Sequence, residues 1–344
     1  MTEHAAAIRV PLPDDDEETG LTGKALANWR TWFLAALLAA AVVFAAFHWG
    51  DVKKFASLVA QAQPLWLLAA FAAQLLTYVA LAVEWHLVLR ACDCDTKFVK
   101  LLPLTLTKHF ADQMVPTAGM SGNVVVVDRL RTLGASKKVA VAAVILTIIS
   151  YYASYAICAL GVLFLLWLMN AGSWMMVGLI AAFLVVAAGI PSLALWLQKK
   201  GERAIPRWLR QFGPVRELFE MIGQAPKKLV RSRELIGQLS VLNGITFVLD
   251  GWTMQLCLFA LGVHAPFASA FVAFIMASIV VTLGPVPMGL GSFEAVSIGT
   301  LRLMDVPFEA ALSATLLFRG FTLWLPLLPG MIAARRDLKH RPKR

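Results

Sequence analysis

Long apolar runs are the feature that most constrains how this chain can fold. Each run is close to the roughly 20 residues that a helix needs to cross the hydrocarbon core of a bilayer. We therefore predict an all-α polytopic membrane protein with about six spanning helices. The runs lie at about 29–49, 64–89, 139–169, 174–197, 236–261 and 308–333.

The charged residues support this prediction because they are few and unevenly placed. They make up 15% of the 344 residues, against about 25% in a typical soluble domain. Hydrophobic residues make up 59%. Most of the charges fall in three short stretches, 1–30, 198–235 and 334–344. This distribution excludes a soluble enzyme, a disordered chain and a conventional DNA-binding protein.

Lysine and arginine in the short loops predict the orientation of the spans. Basic loops stay on the cytoplasmic side, where they also face anionic headgroups. This preference explains the net charge of +10 better than nucleic-acid binding does. The basic loop 198–235 and the basic tail 334–344 are predicted to be cytoplasmic. A disordered acidic tail over 1–28 joins them. Both termini then lie on the cytoplasmic side of the cell membrane.

Two weaker apolar stretches, about 102–128 and 266–304, are interrupted by proline and glycine. From the loop charges, the first starts and ends inside, and the second starts and ends outside. Each is therefore predicted to be a re-entrant hairpin or a pair of short half-helices. The membrane repeats 29–170 and 171–333 then run in opposite directions, which is the inverted-topology repeat of many secondary transporters.

Both hairpin tips read Val-Pro followed by two spaced glycines. Interrupted segments at corresponding positions of two halves point to a substrate site. Proline stops a helix, glycine permits a positive φ, and the helix N-terminus that follows can bind a phosphate. Ordinary loops with turn residues are the alternative. The candidate tip residues are Pro116, Gly119, Gly122, Pro285, Pro287, Gly289 and Gly291.

Ionisable side chains at membrane depth are costly and usually functional. Arg319 needs a partner there, and either Glu294 or Asp250 could supply it, as a structural ion pair or as part of a headgroup site. Asp112, Asp250 and Glu294 are also candidates for coupling to protons or for binding a cationic headgroup. Glu84 lies near a cytoplasmic helix end, where we expect its side chain to reach the interface.

The two tips resemble a known family. The stretch 112–122, with Arg129 and Arg131 after it, and the stretch 287–294 are similar to the lysylphosphatidylglycerol synthase transmembrane (flippase-like) family. The resemblance covers roughly 30–335. It implies a protein that moves lipids across or between membranes. Because little chain follows the last apolar run, we expect the membrane part alone, without the aminoacyl-transferase domain.

We expect a flippase-like transporter whose partners are membrane lipids with a polar or anionic headgroup. The N-termini of the broken helices, with Arg129 and Arg319, would hold the headgroup phosphate. A membrane-embedded enzyme acting on a lipid-linked substrate and a non-transporting accessory subunit of an envelope-lipid pathway are the alternatives. The sequence has no HExxH or GxSxG motif, and we predict no catalytic residue, cofactor or metal.

Overall fold

The computed structural model describes residues 57, 60–92, 94, 96–114, 120–170, 172–200, 230, 232–284, 286 and 289–325. Every regular element in these ranges is helical, as predicted. The predicted span at 29–49 and the tails 1–28 and 334–344 lie outside the described residues. Most of the basic loop 198–235 and the end of the run 308–333 also lie outside them.

The helices follow the apolar runs closely. Four helical segments are long and apolar enough to cross a membrane: Pro64–Arg90, Lys137–Leu168, Trp174–Trp196 and Arg233–Ala260. In chain order the elements are α1 (Pro64–Arg90), a 3-10 turn (Phe98–Lys100), α2 (Leu101–Met114), α3 (Met120–Thr132), α4 (Lys137–Leu168), α5 (Trp174–Lys200), α6 (Arg233–Ala260), α7 (Phe267–Leu283), α8 (Ser292–Leu303), α9 (Phe308–Arg319) and a π-helical turn (Gly320–Trp324).

Local signals set where these helices begin. Pro64 opens α1 at a position where its missing N–H costs nothing. Ser136 caps α4 by accepting a hydrogen bond from Val139 N at 3.3 Å, and Ser232 caps α6 in the same way. These caps satisfy N–H groups that have no partner within the helix. The starts of the spans are therefore specified by the residues themselves.

Helices α1 and α6 pack antiparallel along most of their length. Gln63 N, just before α1, donates to Ala260 O at the end of α6, at 2.8 Å. Near the other end, Asn243 Nδ2 donates to Glu84 Oε1 at 2.8 Å. Helix α7 packs against α6, and its residues 269–277 are all buried. A helix that is buried on every side belongs to the core of a bundle.

Each predicted hairpin contains two helices that are short for a membrane span. Helices α2 and α3 have 14 and 13 residues, and α7 and α8 have 17 and 12, against roughly 20 for a crossing. This agrees with a pair of short helices at each position. Re-entry from one side of the membrane stays a prediction.

The outer surface of the bundle is apolar. Along α4, Ile157, Phe164 and Trp167 are exposed, the last at 72% of its surface. On α5, Trp174 and Val185 are exposed in the same way. A soluble protein rarely shows so continuous an apolar surface. The described part is therefore built as a multi-pass membrane protein.

Candidate functional site

The tip of the second hairpin is a glycine turn pressed against α7. Gly289 and Gly291 have φ angles of 62° and 81°, in the left-handed region that glycine adopts without strain. A Cβ atom on Gly289 would lie 2.5 Å from Val281 Cγ2, whereas a Cβ on Gly291 would meet open space. Pro285 and Pro287 lie outside the described residues.

These two glycines give a matched pair of substitutions. Gly289→Ala should lower the free energy of unfolding by about 2–5 kcal/mol, because it adds a steric clash to the cost of a left-handed backbone. Gly291→Ala should lower the free energy of unfolding by only about 1–2 kcal/mol, the cost of a left-handed backbone at a residue with a Cβ atom. Thermal unfolding in detergent measures both, and Val281→Ala should recover part of the Gly289→Ala loss. Equal costs for the two glycines would contradict the close packing at Gly289.

Glu294 holds the turn and an arginine at the same time. Gly291 N donates to Glu294 Oε2 at 2.7 Å, which satisfies an N–H at the start of α8. Glu294 Oε1 accepts a hydrogen bond from Arg319 Nε at 2.9 Å, and the two groups form an ion pair. Since both carboxylate oxygens are engaged, Glu294 is a positioning residue in this state. Of the two partners expected for Arg319, the structure shows Glu294.

Arg319 is fixed on a second side by aromatic rings. It ends α9, is 7% exposed, and places its guanidinium carbon 5.0 Å from the centre of the Phe293 ring. Phe293 stacks in turn on Phe318, with ring centres 5.6 Å apart. An arginine held between a carboxylate and a ring face has little freedom to turn away. The tip thus presents a pre-oriented cation beside the N-terminus of α8.

Asp250 belongs to a separate polar cluster between α1 and α6. Gln74 Nε2 donates to Asp250 Oδ1 at 2.8 Å and to Thr253 Oγ1 at 3.2 Å. Asp250 is partly buried near the middle of α6. The structure therefore pairs Asp250 with the amide of Gln74 rather than with Arg319.

The expectation for Glu84 is wrong. Its side chain is 4% exposed and accepts a hydrogen bond from Asn243 Nδ2, so it does not extend to the interface. The physical reason is that α6 covers this face of α1 as far as the C-terminal half of the helix. Asn243 also donates to Leu239 O within α6 at 2.9 Å, which holds the amide in place.

The first hairpin tip is only partly described. Asp112 lies in the last turn of α2, Gly122 is buried in the first turn of α3, and Pro116 and Gly119 lie outside the described residues. Arg129 lies in the last turn of α3, about 14 Å along the helix from its N-terminus. The structure thus brings together Gly291, Glu294 and Arg319, and places Arg129 away from the start of its helix.

The polar residues of α1 and α6 occupy equivalent places. Gln74 bonds to Thr253, and Asn243 bonds to Glu84. Exchanging the two helices turns one contact into the other, as at a two-fold axis. The sequence signal for the two amides was available, since each stands alone in an apolar run. Each buried residue of α1 is the same number of residues before its equivalent in α6. The equivalent pairs are Gln74 and Asn243, Thr77 and Thr246, Tyr78 and Phe247, and Glu84 and Thr253.

The connections that follow the two hairpins are also equivalent. Gly134, in the turn after α3, has a φ of 99°, and Asp305, in the turn after α8, has a φ of 63°. The next helix then starts at the same distance in both halves, at Lys137 and at Phe308. The matching hydrogen bonds run from Ala135 N to Leu130 O (3.0 Å) and from Val306 N to Leu301 O (3.1 Å).

Comparison with known proteins identifies the family. A search of curated proteins found no match. The family model described as "Lysylphosphatidylglycerol synthase TM region" matches residues 32–330, which is most of the chain and the part that the resemblance of the tips predicted. Within the described residues, no group of three His, Cys, Asp or Glu side chains could hold a metal ion. The chain belongs to the lysylphosphatidylglycerol synthase transmembrane-region family, whose members are membrane proteins related to lipid modification or transport.

Proposed function

We propose that this protein is a flippase-like lipid transporter that moves a lipid with a polar or anionic headgroup across the cytoplasmic membrane. The observation that carries the proposal is the pairing of Arg319 with Glu294 at the second tip. There, a buried Arg319, held by Glu294 and Phe293, lies beside the start of a helix too short to cross a bilayer. Family membership supports a lipid as the ligand.

The tip has the chemistry to hold a phosphate. Arginine has five N–H donors in a planar fork that matches phosphate oxygens, and Glu294 takes the hydrogen bond of Nε. The positive end of the α8 dipole adds to the attraction. An arriving phosphate would compete with Glu294 for the guanidinium, so binding and release would exchange two anionic partners. The acyl chains would stay in lipid along the apolar surface.

We also infer that the halves 29–170 and 171–333 form an inverted-topology repeat, with both termini in the cytoplasm. The reciprocal contacts of α1 with α6 and the matching connections at Gly134 and Asp305 support this arrangement. Such repeats place the substrate near the middle of the membrane, between interrupted helices. The second tip, with its short helices, fits that place.

The purified protein alone is expected to move lipid. In liposomes of phosphatidylethanolamine and phosphatidylglycerol with a trace of fluorescent phospholipid, an impermeant reductant quenches only the outer leaflet unless lipid crosses. We expect the reconstituted chain to raise the quenched fraction well above that of protein-free liposomes. Liposomes that contain heat-unfolded protein control for leakiness.

The same assay separates the alternatives. Wild-type protein that gives no more quenching than the unfolded control would contradict transport by this chain alone and favour an accessory subunit. A chemical change in the fluorescent lipid, detected by mass spectrometry after the assay, would favour an enzyme. We propose a transporter without catalytic chemistry, and expect the lipid to be recovered unchanged.

A further inference from the structure

The Asp250 cluster is a polar site that the proposed headgroup site does not use. Its carboxylate lies near the middle of a helix long enough to span the membrane. Gln74 and Thr253, which contact it or its partner, are both buried. An ionised carboxylate at membrane depth is costly and marks functional sites, including those that carry protons.

A histidine of the first hairpin lies next to this cluster. Tyr78 follows Gln74 by one helical turn, so it lies on the same buried face of α1 that contacts Asp250 through Gln74. The ring of His109, on α2, packs edge-on against Tyr78 with ring centres 5.9 Å apart. His109 Nε2 lies 3.2 Å from Thr322 O, and because a carbonyl only accepts, the histidine donates.

The acceptor of that hydrogen bond lies in an unusual turn. Thr322 is in the π-helical turn Gly320–Trp324, which directly follows Arg319. Single π-helical turns in α-helices occur frequently at functional sites. The cluster thus joins α1, α2 and α6 to the backbone that carries the arginine of the tip.

The other neighbours of α6 bring few competing groups to Asp250. Helix α7 has no ionisable side chain. On α4, Tyr151 packs against Phe247, and on α9, Arg319 is paired with Glu294. Tyr155 of α4 also packs against the Phe247 ring, with ring centres 4.8 Å apart. From α1 the cluster includes Tyr78, and His109 of α2 lies behind it.

We propose that Asp250 is a proton-binding site, and that its occupancy is linked through Tyr78 and His109 to the turn behind Arg319. The proton adds to the Asp250 carboxylate to give the neutral acid and leaves again as a proton, so no electron moves. The neutral acid has an O–H donor that the carboxylate lacks, and its remaining oxygen can still accept the hydrogen bond from Gln74. Protonation therefore adds a donor that needs an acceptor in the cluster. The link to lipid movement rests on the proposed function, whereas proton binding does not.

Proton binding is tested by labelling with dicyclohexylcarbodiimide, an apolar reagent that enters from the lipid and reacts with protonated carboxyl groups. The full chain in nanodiscs is labelled at acidic and at alkaline pH, and the adducts are located by mass spectrometry. We expect an adduct on Asp250 that falls several-fold at alkaline pH. It should be absent in Asp250→Asn and retained in Glu84→Gln, which alters a buried carboxyl elsewhere on the same helix pair. No adduct on Asp250, or equal labelling at both pH values, overturns the proposal.

Coupling is tested in the liposome assay with and without a pH gradient. Wild-type transport should change several-fold with the gradient, and transport by Asp250→Asn should not respond to it. Asp305→Asn, in an exposed turn where asparagine tolerates a positive φ, should respond as wild type. Lipid movement in wild type that ignores the gradient overturns the coupling and leaves the transporter standing. Labelling as expected without any lipid movement overturns the transporter and leaves the proton site standing.

Discussion

Arg319→Ala is expected to reduce lipid translocation by at least about ten-fold in the liposome assay. A charge-assisted contact between an arginine and a phosphate contributes well over 1.4 kcal/mol, the free energy of a ten-fold change. The alanine variant loses the guanidinium that Glu294 and Phe293 hold at the tip. Arg319→Lys keeps the charge but loses the planar fork, so its rate should lie between those of alanine and wild type.

Two controls separate this loss from misfolding. Arg302→Ala removes an exposed arginine of α8, outside the tip, and should leave transport unchanged. The double variant Glu294→Gln/Arg319→Ala removes both charges of the pair, so no carboxylate is left without its partner. We expect this double variant to fold and to stay inactive. If it translocates lipid as fast as wild type, the tip is not the headgroup site.

Asn243→Ala is expected to lower the free energy of unfolding by about 1–3 kcal/mol, because it leaves the buried Glu84 carboxyl without its donor. The alanine also creates a small cavity between α1 and α6, which adds to the cost. The measurement is thermal or denaturant unfolding in a single detergent. Ser240→Ala, one turn away on α6 and only partly buried, serves as the control and should cost less.

A double-mutant cycle with Glu84→Leu assigns the loss to the pair. The Glu84→Leu/Asn243→Ala protein contains neither partner, so its loss should be smaller than the sum of the two single losses. Strictly additive losses would mean that the hydrogen bond seen at 2.8 Å contributes nothing to stability. The same cycle can be made with Gln74 and Thr253, the equivalent pair.

The membrane architecture could be predicted because its causes are local. Apolar runs of sufficient length and the breaks at proline and glycine placed the described spans and the short helix pairs within a few residues. The sequence alone predicted that the partner of Arg319 is either Glu294 or Asp250, without choosing between them. The choice depends on how α8 and α9 lie together, where a buried hydrogen bond joins Ser297 and Thr315 at 3.0 Å. The relative position of α8 and α9 is determined by tertiary packing, which a single sequence does not reveal.

The polar pairs of α1 and α6 were missed for a different reason. The uncharged amides of Gln74 and Asn243 do not interrupt an apolar run, and neither residue is a proline, a glycine or an ionisable group, the types that mark the other candidates. Glu84 was expected at the interface because its distance from the cytoplasmic end was judged along its own helix. The neighbour that buries it is distant in sequence, so burial could not be inferred from position. Polar side chains that recur at one spacing in both halves were the signal that could have found them.

The reciprocal contacts of α1 and α6 have an evolutionary consequence. Under the proposed inverted-topology repeat, two copies of one ancestral half would pair through this face, as subunits of a homodimer inserted in opposite directions. Gene duplication and fusion would then leave that homodimer within one polypeptide. Three charged residues of the second half depart from this symmetry, because the equivalent residues of the first half are uncharged. The equivalent pairs are Leu81 and Asp250, Asn123 and Glu294, and Ile148 and Arg319. Conversely, Glu84 of the first half takes the place of Thr253. The two halves therefore keep different buried charges at equivalent positions.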